Sequence, residues 1–321
     1  MPDVELPSPG RPYVLLRPAA ERGINDLDAV MVADLYKAHG ALLFRGFRTD
    51  VDQFRRFTGT FCPTYVVNQS AGRQPIDPAH NIHSVDPGTR SFDFHSELSR
   101  EPWAPDVAFF ACLSSPAQGG ATTICDGVQL VREMPDGVRE GLSGRRLLHL
   151  KPTWPEMLRF WLGDPDPDDG LLASPPSWCP YAFERRNEGV ICSFSRPALN
   201  RPMFTDQPAF ANFVLFARFT RNRRNYPLLD DESPIPESWL QEIKGAAGRI
   251  GAEVSWERGD VLMLDNSRFM HGRTAIIDPA ERLIGTFFGY LGFAIPDAEE
   301  PPCAPWRQAD FAPPPGPHER R

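Results

Sequence analysis

Phe92-Asp93-Phe94-His95-Ser96-Glu97 alternates aromatic rings with polar side chains, and the rest of the chain makes most sense arranged around it. On an extended strand, residues two apart share a face, so His95 and Glu97 point to one side while Phe92 and Phe94 point to the packed side. An imidazole and a carboxylate on one face need only one further His to form the two-His-one-carboxylate set that holds Fe(II) with adjacent positions left open. The spacing alone carries little weight. With 7 His and 42 acidic residues in 321, about one His-x-Asp/Glu is expected by chance. A His and a Glu paired at a strand end is the plain alternative, and context must decide.

Size and composition narrow the class. A chain of 321 residues with 41% hydrophobic content can bury a substantial core. There is no apolar run long enough to span a bilayer, and Met1-Pro2-Asp3-Val4-Glu5 lacks the basic-then-apolar pattern of a signal peptide, so a cytoplasmic location without membrane contact is expected. The six cysteines (62, 112, 125, 179, 192, 303) contain no C-x-x-C pair and fit reduced core thiols. A net charge of −8 argues against nucleic acid as the main partner. Oligomeric state is left open.

Working outward, Pro12–Leu16 and the apolar run 40–47, ended by Gly46, read as strands. Asp26–Lys37 reads as a helix entered at Asn25 or Asp26, and Asp52–Phe61 as a second capped by Thr49 or Asp50. Residues 62–91 show little periodicity and read as a long loop, either a lid over the metal or plain surface chain. Beyond Glu97, 106–113 is a strongly apolar strand, 115–120 a turn and 121–125 another strand. Strands are expected at 145–150, 190–194, 259–266 (with its turn) and 283–293, and helices at 207–220 and 236–249. The pattern is mainly β with helical insertions, and it suggests one jelly-roll domain over 1–293 with a helical insertion at about 206–250. A Pro-rich irregular tail over 294–321 is expected to follow.

Three later residues supply the context. Thr122 lies just past the Gly119-Gly120 turn, His271 follows Trp256-Glu257-Arg258-Gly259-Asp260-Val261-Leu262-Met263-Leu264-Asp265-Asn266, and Arg282 comes 11 residues after His271. His271 completes the triad, and Arg282 offers a guanidinium fork to a carboxylate that Thr122 can also hydrogen-bond. This ordered set, over about residues 40–293, resembles the TauD/TfdA family of Fe(II)- and 2-oxoglutarate-dependent dioxygenases. Glu97 in place of the commoner Asp, Phe94-His95-Ser96-Glu97-Leu98-Ser99 and Asp231-Glu232-Ser233-Pro234-Ile235-Pro236 lean toward its SyrP-like and clavaminate-synthase-like branch.

The resemblance implies a double-stranded β-helix (jelly roll, cupin-like) core. It implies His95, Glu97 and His271 as iron ligands, Thr122 and Arg282 as partners of the distal carboxylate of 2-oxoglutarate, and O2 as the oxidant. No catalytic residue is implied beyond the metal ligands. The expected outcome is oxidation, most simply hydroxylation, of an unactivated C–H in an amino-acid-derived small molecule from natural-product biosynthesis, with release of succinate and CO2. Some relatives carry a substrate-gripping Arg four residues after the first; here that position is Thr286. The substrate therefore arrives either free or bound to a carrier protein, for which Arg218, Arg221, Arg223 and Arg224 offer either a docking patch or a solvated helix end. Arg268 and Arg273 flank His271 as substrate contacts or ion pairs, and Asn266 is expected to orient His271 through its backbone. His39, His149 and His318 read as structural or solvated, whereas His80 and His83 lie in the candidate lid. Two rival readings remain: a non-catalytic jelly roll with a vestigial triad, and a zinc-binding one.

Overall fold

The structure, a computed structural model, describes residues 1–67, 70, 72–187 and 189–314. His318 and the last part of the expected tail lie outside the described residues. Two sheets form a jelly-roll sandwich. The larger runs in the order Asp3–Glu5, Val14–Arg17, Ala41–Phe44, Val261–Asp265, Val107–Ser114, Leu283–Tyr290, Ile82–Ser84, Pro75–Asp77, with Thr64–Tyr65 also paired to Leu283–Tyr290. The smaller runs Ala252–Val254, Thr122–Asp126, Phe269–Arg273, Phe92–His95. Pairing in both is antiparallel except between Val14–Arg17 and Ala41–Phe44.

Period-two alternation builds the layers. Along Val107–Ser114, Ala108, Phe110 and Cys112 face inward and pack with Ile124 and Phe269 of the small sheet, while Val107, Phe109 and Ala111 face outward. Leu262 and Leu264 repeat the inward pattern, and Val261 and Met263 the outward one. The outer face is covered by the helices Ala29–His39 and Val51–Phe61, through Val32, Tyr36, Phe54, Phe57 and Phe61. Asp50 caps the second helix as expected, accepting from the Gln53 amide at 2.8 Å. The first begins later than expected: Asp28 is its cap, and Asn25 and Asp26 belong to the 3-10 turn Ile24–Asp26.

Between Thr122–Asp126 and Ala252–Val254 lies an insertion larger than the expected 206–250. It carries its own sheet, in the order Ala182–Arg186, Gly189–Pro197, Arg146–Pro152, Leu228–Leu229. Its helices Gly127–Glu133 and Glu237–Ile250 cover the back of the small sheet, where Val128, Leu130, Leu240 and Ile243 pack with Cys125, Met270 and Phe94.

Two expectations are corrected. The helix expected over 207–220 is reduced to a π-helical turn, Phe216–Thr220, because the preceding backbone serves as a tie: Phe210 N donates to Gly127 O at 3.1 Å, and Asn212 O accepts from Ser96 N at 3.1 Å. The long loop 62–91 contains edge strands of the large sheet. The tail has no strand as far as residue 314, yet it is packed: Trp306 is 3% exposed and joins the inter-sheet core. Among the described residues no helix is long and apolar enough to cross a membrane.

Candidate active site

His95 and His271 are direct partners across the antiparallel pair Phe92–His95 and Phe269–Arg273, which sets both imidazoles on one face. Their ring centroids lie 4.4 Å apart, with planes tilted by 47°. Gly272 permits this approach, since a Cβ there would lie 2.6 Å from Phe92 O. Phe94 faces the opposite side, into the helical cluster, and Phe92 meets Phe216 at 5.6 Å.

Glu97 reaches the same point by another route than strand alternation, because the strand ends at His95. The chain turns inward through Leu98, at φ 50. Asn266 holds the turn: its Oδ1 accepts from Glu97 N at 2.7 Å, and its Nδ2 donates to Glu97 O at 3.0 Å and Pro105 O at 2.9 Å. Asn266 therefore grips Glu97, not His271. Ligand atoms of His95, Glu97 and His271 then lie within 4.8 Å of one another, all buried, and Glu97 Oε2 is 3.8 Å from His271 Nε2.

The electrostatics suit a cation. Burial pushes the pKa of both histidines down, that of His271 well below the ordinary value, with His95 and Arg73 adding to the effect. Both rings are thus neutral, the form that binds metal. His95 Nδ1 sits 3.2 Å from Asp93 O, so Nδ1–H donates there and the Nε2 lone pair is left for a ligand.

A cavity of about 70 Å³ runs from the triad to Arg282, lined also by Arg73, Asp86, Phe110 and Thr122. Arg282 Nε donates to Gly120 O at 2.8 Å, whereas its buried Nη1 has no hydrogen-bond partner among the described residues. Burial, reinforced by Arg273, pulls its pKa down to about 10. Gly120 sits at φ +66, and a Cβ on it would lie 2.8 Å from Arg282 Cδ. The Thr122 hydroxyl accepts from Trp256 Nε1 at 3.1 Å, which leaves its own O–H to donate. A buried guanidinium whose Nη1 has no partner among the described residues, beside a hydroxyl able to donate, suits a carboxylate.

Other expected residues go elsewhere. Arg268 turns to the outer side of the sheet and pairs with Asp126, its Nη2 at 2.6 Å from Oδ2, beside a surface cavity of about 370 Å³ that none of the triad lines. Arg273 does line the central cavity, yet its guanidinium donates to backbone carbonyls of Asp86, Gly88 and Arg90, strapping that segment down over Phe92. His80 pairs with Asp77 on the surface, and His83 contributes its carbonyl to Thr286. In the basic stretch Arg218 is taken by Glu237, with Nε 2.8 Å and Nη2 2.9 Å from its two oxygens, and Arg221, Arg223 and Arg224 remain exposed. Sequence reasoning missed Arg73. It donates to Glu97 Oε2 at 3.3 Å and to Thr286 Oγ1 at 2.9 Å, and nothing in its aperiodic surroundings announces it.

The family model described as taurine catabolism dioxygenase TauD, TfdA family matches residues 18–286. A clavaminate synthase-like protein of Arabidopsis thaliana is 23% identical over 312 residues, covering 89% of this chain and 91% of that protein. The dapdiamide synthesis protein DdaC of Enterobacter agglomerans is 21% identical over 301 residues, covering 85% and 88%. The structure of a putative alpha-ketoglutarate-dependent taurine dioxygenase from Burkholderia xenovorans superposes with a TM-score of 0.59 at 14% identity, covering 93% of this chain and 99% of that one. This last likeness is one of fold.

Proposed function

Since this chain belongs to the TauD/TfdA family of dioxygenases, we propose that it is an Fe(II)- and 2-oxoglutarate-dependent enzyme that hydroxylates an unactivated C–H of a small amino-acid-derived molecule in natural-product biosynthesis. The observation that carries the reading is the pairing, in one cavity, of the His95, Glu97 and His271 cluster with an Arg282 Nη1 that lacks a partner among the described residues. A zinc hydrolase has no use for that second element. The biosynthetic role is supported by likeness to DdaC, whose name places that protein in dapdiamide synthesis.

His95, Glu97 and His271 would hold the metal, which supplies, with 2-oxoglutarate and O2, the oxidation of the C–H bond. The chain's own work is binding and shielding. Arg282 Nη1 and the Thr122 hydroxyl take the distal carboxylate of 2-oxoglutarate, and the guanidinium fork sets its direction. Phe110, with its ring centroid 4.9 Å from His271, and Phe216, 4.6 Å from His95, exclude water from the ligand side chains. Asp93 O keeps the proton of His95 on Nδ1, and Asn266 keeps Glu97 turned inward.

The test is to add Fe(II) and 2-oxoglutarate without oxygen and look for the visible metal-to-ligand charge-transfer band. It is expected in the wild type and absent in His271→Ala; its absence from the folded wild type would refute the proposal.

A further inference from the structure

Resting on the dioxygenase reading, we infer that Arg73 is the residue that anchors a free carboxylate of the substrate beside the metal. The residues lining the cavity include the guanidinium groups of Arg73, Arg273 and Arg282 and the carboxylates of Glu97 and Asp86, one positive charge in excess. A metal dication and a 2-oxoglutarate dianion cancel each other, so the loaded cavity keeps that excess. An unbalanced charge in a desolvated space is costly, and a singly anionic substrate removes the cost.

Geometry selects which cation meets it. Arg282 faces 2-oxoglutarate, and Arg273 donates to three backbone carbonyls. Arg73 is differently placed: its side chain is only 13% exposed, and its anionic contact is Glu97 Oε2, the oxygen that also lies 3.8 Å from His271 Nε2. A metal held by Glu97 would compete with Arg73 for that carboxylate. The Arg73 Nη2 beside it then faces a like charge and needs a new anion. Two contacts keep the guanidinium in place meanwhile. Nη1 donates to Thr286 Oγ1 at 2.9 Å, and the group lies 4.9 Å from the centroid of the Phe288 ring. The Thr286 hydroxyl is itself anchored by donating to His83 O at 2.9 Å. Arg73 is thus a held fork whose Nη2 side faces the metal end of the cavity and its ligand Glu97, suited to a planar carboxylate. A thioester formed at that carboxyl would remove the group, so the substrate class is a small molecule in which the anchored carboxyl is free.

The experiment uses acetate as the minimal carboxylate and acetamide as its uncharged counterpart. Each is titrated into the oxygen-free Fe(II) and 2-oxoglutarate complex of wild type, Arg73→Lys and Arg73→Gln, reading the charge-transfer band. Mn(II) affinity is measured separately on the three proteins by calorimetry. Acetate is expected to bind wild type about 10- to 150-fold more tightly than Arg73→Gln, with Arg73→Lys between them and acetamide indifferent. Mn(II) affinity should not fall. Acetate binding equally to wild type and Arg73→Gln, or to neither, overturns the proposal. So does a loss of Mn(II) affinity of about 10- to 100-fold in Arg73→Gln, the sign of a residue that merely orients Glu97. If wild type forms no band at all, the dioxygenase reading has failed and the anchor falls with it; a band in both proteins without discrimination by acetate removes the anchor alone.

Discussion

His271 in the jelly roll and His149 in the insertion are both buried strand imidazoles, 7% and 1% exposed, and burial drives the pKa of each well below the ordinary histidine value. Their surroundings differ. His271 has His95 and Glu97 within ligand distance, whereas both ring nitrogens of His149 lack a hydrogen-bond partner among the described residues. His149 lies between Phe194, stacked at 6.2 Å, and Tyr226, edge-on at 5.3 Å, with Arg196, Lys151 and Arg100 holding its pKa down further. Burial and a shifted pKa therefore do not identify a site. Convergence of ligand atoms does.

Substitution should separate the two histidines most sharply at the metal. His271→Ala is expected to abolish metal binding and oxygenation while the fold survives, measured by calorimetry with Mn(II) and by circular dichroism; retained Mn(II) binding would dissolve the contrast. Arg282→Ala comes next. Loss of a charge-assisted pair worth about 1.5–3 kcal/mol should raise the 2-oxoglutarate requirement roughly 10- to 150-fold, with Arg282→Lys recovering part, as read from the concentration dependence of the charge-transfer band. Asn266→Ala should weaken Mn(II) binding by about 10- to 100-fold without touching any ligand atom, because the turn carrying Glu97 loses its hold. Unchanged affinity there would mean that the turn at Leu98 positions Glu97 unaided.

The smallest expected effect belongs to His149→Phe, and it has the opposite sign. A histidine kept neutral by the fold takes up a proton in the unfolded chain below about pH 6.5, so its contribution is present above that pH and lost as the pH falls. Wild type should lose stability between pH 7.5 and 5.5. His149→Phe should lose about 1 kcal/mol less over that interval, by chemical denaturation, and be no less stable at pH 7.5. Equal slopes would show that His149 is protonated or hydrated in the fold.

The strand framework was legible because unbroken apolar runs at 107–112 and 261–264 are what strands buried on both faces require, and the residue types at 95, 97 and 271 were legible as candidate ligands because they are the types that suit iron. The placement of Glu97 was only half legible: the residue was found, but the strand stops short of it, and its clamp is a side chain 169 positions away. Arg268 was left open between a substrate contact and an ion pair, and its pairing with Asp126 is the second of these, a choice that depends on a partner 142 positions away. Helical spacing at 207–220 misled because those backbone groups are spent on other elements. Arg73 was illegible, since a contact made across the sheet leaves no trace in the local pattern. The tail did carry a hint, in that a Trp at 306 is an odd residue to leave in solvent.

That tail has a consequence for the making of the protein. Asp106, which leads into the central strand, receives both Nη atoms of Arg307 at 2.9 and 3.0 Å, and Arg307 in turn is held by Glu300 and lies over Tyr290. A nascent chain emerging from the ribosome presents the acid 201 residues before its cation. Until Arg307 appears, the Asp106 carboxylate has, among the described residues, only the Leu291 amide, at 2.9 Å, to answer its charge, and the slot that Trp306 fills stands open, so the seam of the sandwich closes only when this segment docks.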